Sequence, residues 1–229
     1  MRPVRRGPSP QAADFADYTV ARPLLVSRLG YYCSYCERRI PSAIEVEHLQ
    51  AKSIHPALEG RWENLLLSCK NCNATKLKKD TPHSELLLPD RDNTLLPFEY
   101  SPDGKVAVRP SLSLELSKFG TATLALVGLE KPGTDRVRQR MEVWAIAEEA
   151  RSDVDSNPGN LAVRRQAVRN ATGHGFFSIW MTVFANDSEM RNRLIDAFPG
   201  TRDSGCFDAN GDLISPAPNP DGLEHGGKC

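Results

Sequence analysis

The chain has no apolar run near the eighteen or so residues that a membrane-spanning helix needs. Its basic opening, MRPVRRGPSPQ, has no apolar stretch behind it and so lacks the pattern of a secretion signal. A cytoplasmic setting is the resulting expectation, and thiols there stay reduced. Net charge is also missing, since 29 Lys and Arg offset 29 Asp and Glu. The total therefore neither demands nor forbids a nucleic-acid partner, and local patches decide. No internal repeat is visible. What remains is a chain with 40% hydrophobic and 25% charged residues, the composition of a soluble globular protein. At 229 residues it can hold one large domain, or a small catalytic module in a larger frame.

Within the neutral total, charge is uneven. Arg2, Arg5 and Arg6 form a basic tip, and Lys70, Lys76, Lys78 and Lys79 cluster near a pair of cysteines. Residues 1–20, with three prolines in the first ten positions, read as a flexible basic arm. Residues 21–80 carry the unusual chemistry. They open with a short helical pattern around Leu24, Leu25 and Leu29, stopped by Gly30. IEVEHLQA then alternates like a strand, and CNATKLKKD reads as the opening of a helix. Residues 81–204 read as a β-hairpin turned by SPDG and then a mostly helical scaffold or partner-binding region. One of its helices places Val137, Met141 and Trp144 on one face, and another is expected to end at Gly173. Trp144 and Trp180 read as core. Residues 205–229, rich in Gly, Pro, Asp and Asn, read as a loop-like or disordered tail.

The six cysteines include two C-x-x-C pairs, CSYC at Cys33 and Cys36 and CKNC at Cys69 and Cys72. A dithiol redox device uses one such pair near a βαβ pattern, so two copies in turn-like settings fit it poorly. A disulfide staple conflicts with a reducing compartment. Two knuckles converging tetrahedrally on structural Zn²⁺ fit best. The usual gap between knuckles is about 15 to 20 residues, whereas residues 37–68 give a gap of 32 here, so the zinc would clamp the ends of an inserted unit. Cys206 and Cys229 have no partner at useful spacing and read as ordinary thiols.

Inside and just beyond the gap lie a carboxylate beside an imidazole, Glu47 and His48, and two amides, Asn64 and Asn73. Histidine, with an unperturbed pKa of about 6.5, suits a general base near neutral pH. Carboxylate and amide oxygens are hard ligands that suit Mg²⁺ or Mn²⁺. Lysines nearby could hold phosphate. Together these groups suit hydrolysis of a phosphodiester.

The segments YCSYC, EVEH, WENLLLSCKNCN and Lys76 resemble the zinc-stabilised HNH endonucleases over about residues 30–79. The resemblance implies an α+β chain. Its core would be a ββα-metal unit with a structural zinc clamp, followed here by the hairpin and the helical region. It implies that His48 activates water, that Glu47 and Asn73 bind the catalytic Mg²⁺ or Mn²⁺, and that Asn64 braces the loop that orients His48. Cys33, Cys36, Cys69 and Cys72 would hold the zinc. Lys70, Lys76 and Lys79 are the expected nucleic-acid contacts, with Lys76 and Lys79 on one helix face. Cleavage in the family leaves a 5′-phosphate and a 3′-hydroxyl. Asn73 stands where the family's last histidine is named. Glu47 replaces the more frequent Asp, and its extra methylene is expected to favour Mn²⁺. The extended pattern, with LLLPDRD, FEY and DGKV downstream, is similar to HNH proteins of Septu and retron-associated anti-phage systems. That likeness implies DNA, ahead of RNA, as substrate and an ATPase as partner protein. The alternative from a different class is a non-catalytic zinc module that binds nucleic acid or protein, in which His48 is dispensable.

Overall fold

Helix α1 (Ala21–Leu29) stops at Gly30, whose φ of 72° turns the chain in a conformation that side-chained residues rarely adopt. This computed structural model describes all 229 residues. The turn leads into the first cysteine knuckle, where the Cys33 amide bonds the Arg38 carbonyl and the Glu37 amide bonds the Cys33 carbonyl. Strand β1 (Glu45–His48) pairs antiparallel with β2 (Leu65–Ser68), in a register that sets Glu45 opposite Ser68 and His48 opposite Leu65. All four residues of β2 are buried, which is why LLLS shows no alternation. Each of its leucines contributes about 1.5–3 kcal/mol by leaving water. The Ser34 amide bonds the Leu67 carbonyl and so fastens the first knuckle to β2. Helix α2 (Lys70–Lys76) follows, its first turn capped by the Cys69 sulfur accepting from the Cys72 amide. Two strands and a helix thus form the expected ββα unit.

The helix starts and ends earlier than CNATKLKKD suggests. It breaks at Leu77, which has a φ of 48°, so Lys76 and Lys79 do not share a helical face.

Strands β3 (Phe98–Tyr100) and β4 (Val106–Val108) form the predicted hairpin, closed through the Gly104 amide on the Ser101 carbonyl. Five helices follow: α3 (Leu114–Val127), α4 (Asp135–Ser156), α5 (Leu161–His174), α6 (Phe177–Val183) and α7 (Ser188–Ala197). Side chains of Ser113, Thr134, Asn160 and Asp187 cap the first turns of α3, α4, α5 and α7. Helix α5 runs past Gly173 and ends at Gly175, with a φ of 81°.

Buried side chains form two clusters. One joins α1, the ββα unit, the hairpin and the C-terminal half of α3; the other joins α4 through α7 with Trp144, Trp180, Cys206 and Phe207. The division of the core therefore falls between α3 and α4 rather than near residue 80.

Three expectations need correction. Residues 1–6 are not a loose arm: Met1 and Val4 lie in the first core, and the arginines tie the segment down. Arg2 donates to the carbonyls of Leu29 and Pro199, and Arg6 to those of Leu65 and Glu63 while pairing with Asp90 at 2.8 Å. Residues 205–229 are likewise packed. Cys206, Phe207 and Ala217 are core, and Asn93 Nδ2 donates to the carbonyls of Cys206 and Ile214. Both segments lack helix and strand periodicity, so only their tertiary hydrogen bonds reveal the order. Helix α4 buries Arg136, Arg140, Val143 and Trp144, while Met141 is 45% exposed. The two arginines satisfy carbonyls of Val127, Gly128, Leu129 and Gly104, which makes a charged face an inward one.

Candidate active site

The ends of the ββα unit converge at sulfur. Cys33 and Cys36 come from the turn after α1, Cys69 from the end of β2 and Cys72 from the first turn of α2. All four are buried, and their Sγ atoms lie within 4.8 Å of one another. Cys36 and Cys69 are 3.7 Å apart at sulfur. That is too long for a disulfide and close to the ~3.8 Å edge of a tetrahedron with Zn–S bonds of about 2.3 Å. Hydrogen bonds among the thiols lower the pKa of Cys69 and raise those of Cys36 and Cys72, as expected of thiols packed this closely. The four residues fit zinc. Cys206 and Cys229 lie outside this group, and burial pushes their thiols up to about 11 and about 12.

Arg136 reaches the cluster from α4. It donates to Cys72 Sγ at 3.2 Å and to the carbonyls of Val127 and Gly128 at 2.9 and 2.7 Å. A buried guanidinium beside thiolates offsets their charge and links the second helical core to the knuckle. Arg136→Met is expected to lower stability by about 2–4 kcal/mol, because two buried carbonyls lose their donor. It should also speed zinc loss to a chelator. Unchanged melting and zinc release would show that the contact is idle.

On the other side of β1, an open cleft of about 640 Å³ is lined by Glu47, His48 and Asn73, together with Lys52, Lys70 and Lys78. His48 Nε2 lies 2.9 Å from the Glu59 carbonyl. A carbonyl can only accept, so Nε2 carries the proton and Nδ1 keeps its lone pair. Burial lowers the pKa of His48, which keeps the ring neutral near pH 7. The Tyr18 ring meets it edge-on at 4.6 Å. Asn64 fixes the loop that supplies Glu59. Its Oδ1 accepts from the Gln50 amide at 2.7 Å, and its Nδ2 donates to the carbonyls of Gln50 and Leu58. These bonds tie Asn64 to both ends of the segment between Gln50 and Leu58.

Glu47 is almost fully buried and pairs with Lys76, Nζ to Oε1, at 2.9 Å. Burial pushes its carboxyl up to about 7, against the opposing pull of the Lys76 ammonium. A carboxylate this deep is costly to ionise, and Lys76 offsets only part of that cost, so a further cation would be favoured beside it. Asn73 is half-buried, and its Nδ2 donates to Glu45 Oε2 at 2.8 Å. Oxygen donors from Glu47 and Asn73 facing one cleft fit Mg²⁺ or Mn²⁺.

The expected lysines divide. Lys70 is exposed at the cleft. Lys76 is 1% exposed and bound to Glu47 and to the His48 carbonyl at 2.7 Å, so it is an internal support, not a nucleic-acid contact. Lys79 is exposed but donates to the carbonyls of Ala125 and Leu126 at the end of α3. Sequence reasoning passes over Lys52 and leaves Lys78 of the lysine cluster without a role, because only the fold shows which lysines face the cleft. It also passes over Glu45, for which the alternation E-V-E, two carboxylates on one strand face, is the available signal.

The HNH endonuclease family model matches residues 33–79, from the first zinc cysteine to Lys79. This segment is similar to the HNH endonucleases. Every cysteine of the cluster and every cleft residue except Tyr18 lies within the matched segment. A stretch of 79 residues is 38% identical to a Septu protein, PtuB, of Bacillus thuringiensis. The match covers 32% of this chain and 31% of the relative's length. No helix is long and apolar enough to cross a membrane.

Proposed function

We propose that this chain is a metal-dependent endonuclease that hydrolyses phosphodiester bonds in DNA, as the nuclease of a bacterial anti-phage complex with an ATPase partner. The observation that carries the chemistry is the bond from His48 Nε2 to the Glu59 carbonyl, beside a cleft holding Glu47 and Asn73. His48 Nδ1 takes a proton from the attacking water. Its Nε2–H stays on the Glu59 carbonyl and steadies the imidazolium that forms. Glu47 and Asn73 hold the divalent cation, and Lys76 keeps Glu47 in place through Oε1. When bound, the cation polarises the scissile phosphate and stabilises the leaving oxygen. The exposed ammonium groups of Lys70 and Lys78 take neighbouring phosphates along the cleft, whereas Lys52 is paired with Glu59 at 2.8 Å. The likeness to the Septu protein supports the defence setting.

Cleavage of matched DNA and RNA substrates with Mg²⁺ or Mn²⁺ tests the substrate class, and DNA is expected to be cut faster. In the same assay, the double variant Lys70→Ala with Lys78→Ala should raise KM more than it lowers kcat. The dependence of log affinity on log salt should flatten by about one for each phosphate contact removed. An unchanged salt slope would remove these lysines from the nucleic-acid path.

A further inference from the structure

Two carboxylates on β1 each meet one side chain of α2. Glu45 and Glu47 are two residues apart and so share a face of the strand. Asn73 and Lys76 are three apart and so stand on adjoining turns of the helix. The pairings are Glu47 with Lys76 at 2.9 Å and Glu45 with Asn73 at 2.8 Å. The first holds a charge. The second selects an orientation.

We propose that Glu45 is a positioning residue of the cation site, fixing the Asn73 side-chain amide so that its oxygen, not its nitrogen, is free to bind metal. The two ends of an asparagine amide are nearly equal in size but opposite in hydrogen-bonding sense, since NH₂ donates and oxygen accepts. An ionised carboxylate can only accept. The amide end facing Glu45 Oε2 must therefore be Nδ2, and a flipped amide would set two oxygens against each other. Oδ1 has no hydrogen-bond partner in the protein and is left for a hard cation. An amide without this constraint would divide its time between a ligand and a non-ligand orientation. The zinc knuckle sets the spacing, because Glu45 lies opposite Ser68 and the next residue, Cys69, begins the turn into α2. This inference rests on the proposed cation site and adds to it a residue that acts through Asn73.

Mn²⁺ binding to the zinc-loaded full chain, followed by electron paramagnetic resonance or calorimetry, tests it without reference to cleavage. Glu45→Leu is expected to weaken Mn²⁺ about 10- to 100-fold, the range found when a group orienting a metal ligand is removed. Glu45→Gln keeps an oxygen that can accept from Asn73 Nδ2, so it should bind within about threefold of wild type. Thermal melting of both variants establishes that the fold is retained. Equal loss in Glu45→Gln and Glu45→Leu would overturn the positioning role in favour of a charge acting on the cation directly. No loss in Glu45→Leu would overturn it outright. Asn73→Ala separates the two levels. If it binds Mn²⁺ like wild type, the cation-site reading falls and the role of Glu45 falls with it. If Asn73→Ala loses Mn²⁺ while Glu45→Leu does not, only the positioning role is rejected.

Discussion

His48→Ala is expected to lower the rate of phosphodiester cleavage by about 10²- to 10⁴-fold, the usual contribution of a positioned general base. The effect should appear in kcat, because Nδ1 acts on water in the transition state and does not hold the substrate. Mn²⁺ affinity should stay close to wild type, since the proposed cation ligands are Glu47 and Asn73. Zinc content should stay the same too, because His48 lies on β1 and the cysteines close the opposite ends of the unit. The non-catalytic alternative gives the reverse pattern, with nucleic-acid binding retained and no dependence of any activity on His48. Single-turnover cleavage with a parallel Mn²⁺ titration distinguishes the two. Wild-type rates in His48→Ala would remove the imidazole from the chemistry.

Cys69→Ser is expected to have the largest effect on the fold. Apparent zinc binding by small Cys and His sites is worth about 10–16 kcal/mol, whereas an entire domain is stable by only about 5–15 kcal/mol. Loss of one thiolate ligand should therefore release the zinc and open the ββα unit. Cys69 also caps α2 with its sulfur, so the helix carrying Asn73 and Lys76 loses its start. The second core has its own buried residues, Trp180, Phe184, Met190 and Leu194 among them, and should persist. Hydrogen exchange is the measurement. Amides of β1 and β2 should lose protection while those of α5 through α7 keep most of theirs. A Cys69→Ser protein that retains one zinc per chain and full protection in β2 contradicts the clamp.

Much of this site was legible in the chain because metal chelation is local and selective for residue type. Two C-x-x-C pairs need thiolates at a fixed reach, so Cys33, Cys36, Cys69 and Cys72 stand out against a composition with few thiols. Glu47, His48, Asn64 and Asn73 stand out as a set only through the resemblance to the HNH endonucleases, which gives them in this order. Lys76 reads as a nucleic-acid contact in sequence for a physical reason. A lysine in a charged run resembles a solvated one until the fold sets a buried carboxylate beside it. The inward face of α4 was hidden the same way, since Arg136 and Arg140 are polar in sequence and spend their donors on buried carbonyls. Arg2 and Arg6 hide the order of the first residues by the same means. Glu45 escaped notice because its role depends on strand register and on which end of an amide it faces.

The central claim is that the cleft beside β1 hydrolyses phosphodiesters with a divalent cation held apart from the structural zinc. Plasmid cleavage by the zinc-loaded chain, with and without the proposed ATPase partner, tests it most directly when Mg²⁺ or Mn²⁺ is added to or withheld from metal-depleted buffer. Nicked products bearing 5′-phosphates should appear only when the cation is present, and Glu47→Ala should abolish them while leaving the zinc bound. Cleavage that proceeds equally without the added cation, or in Glu47→Ala, would contradict the account, as would intact plasmid under every condition.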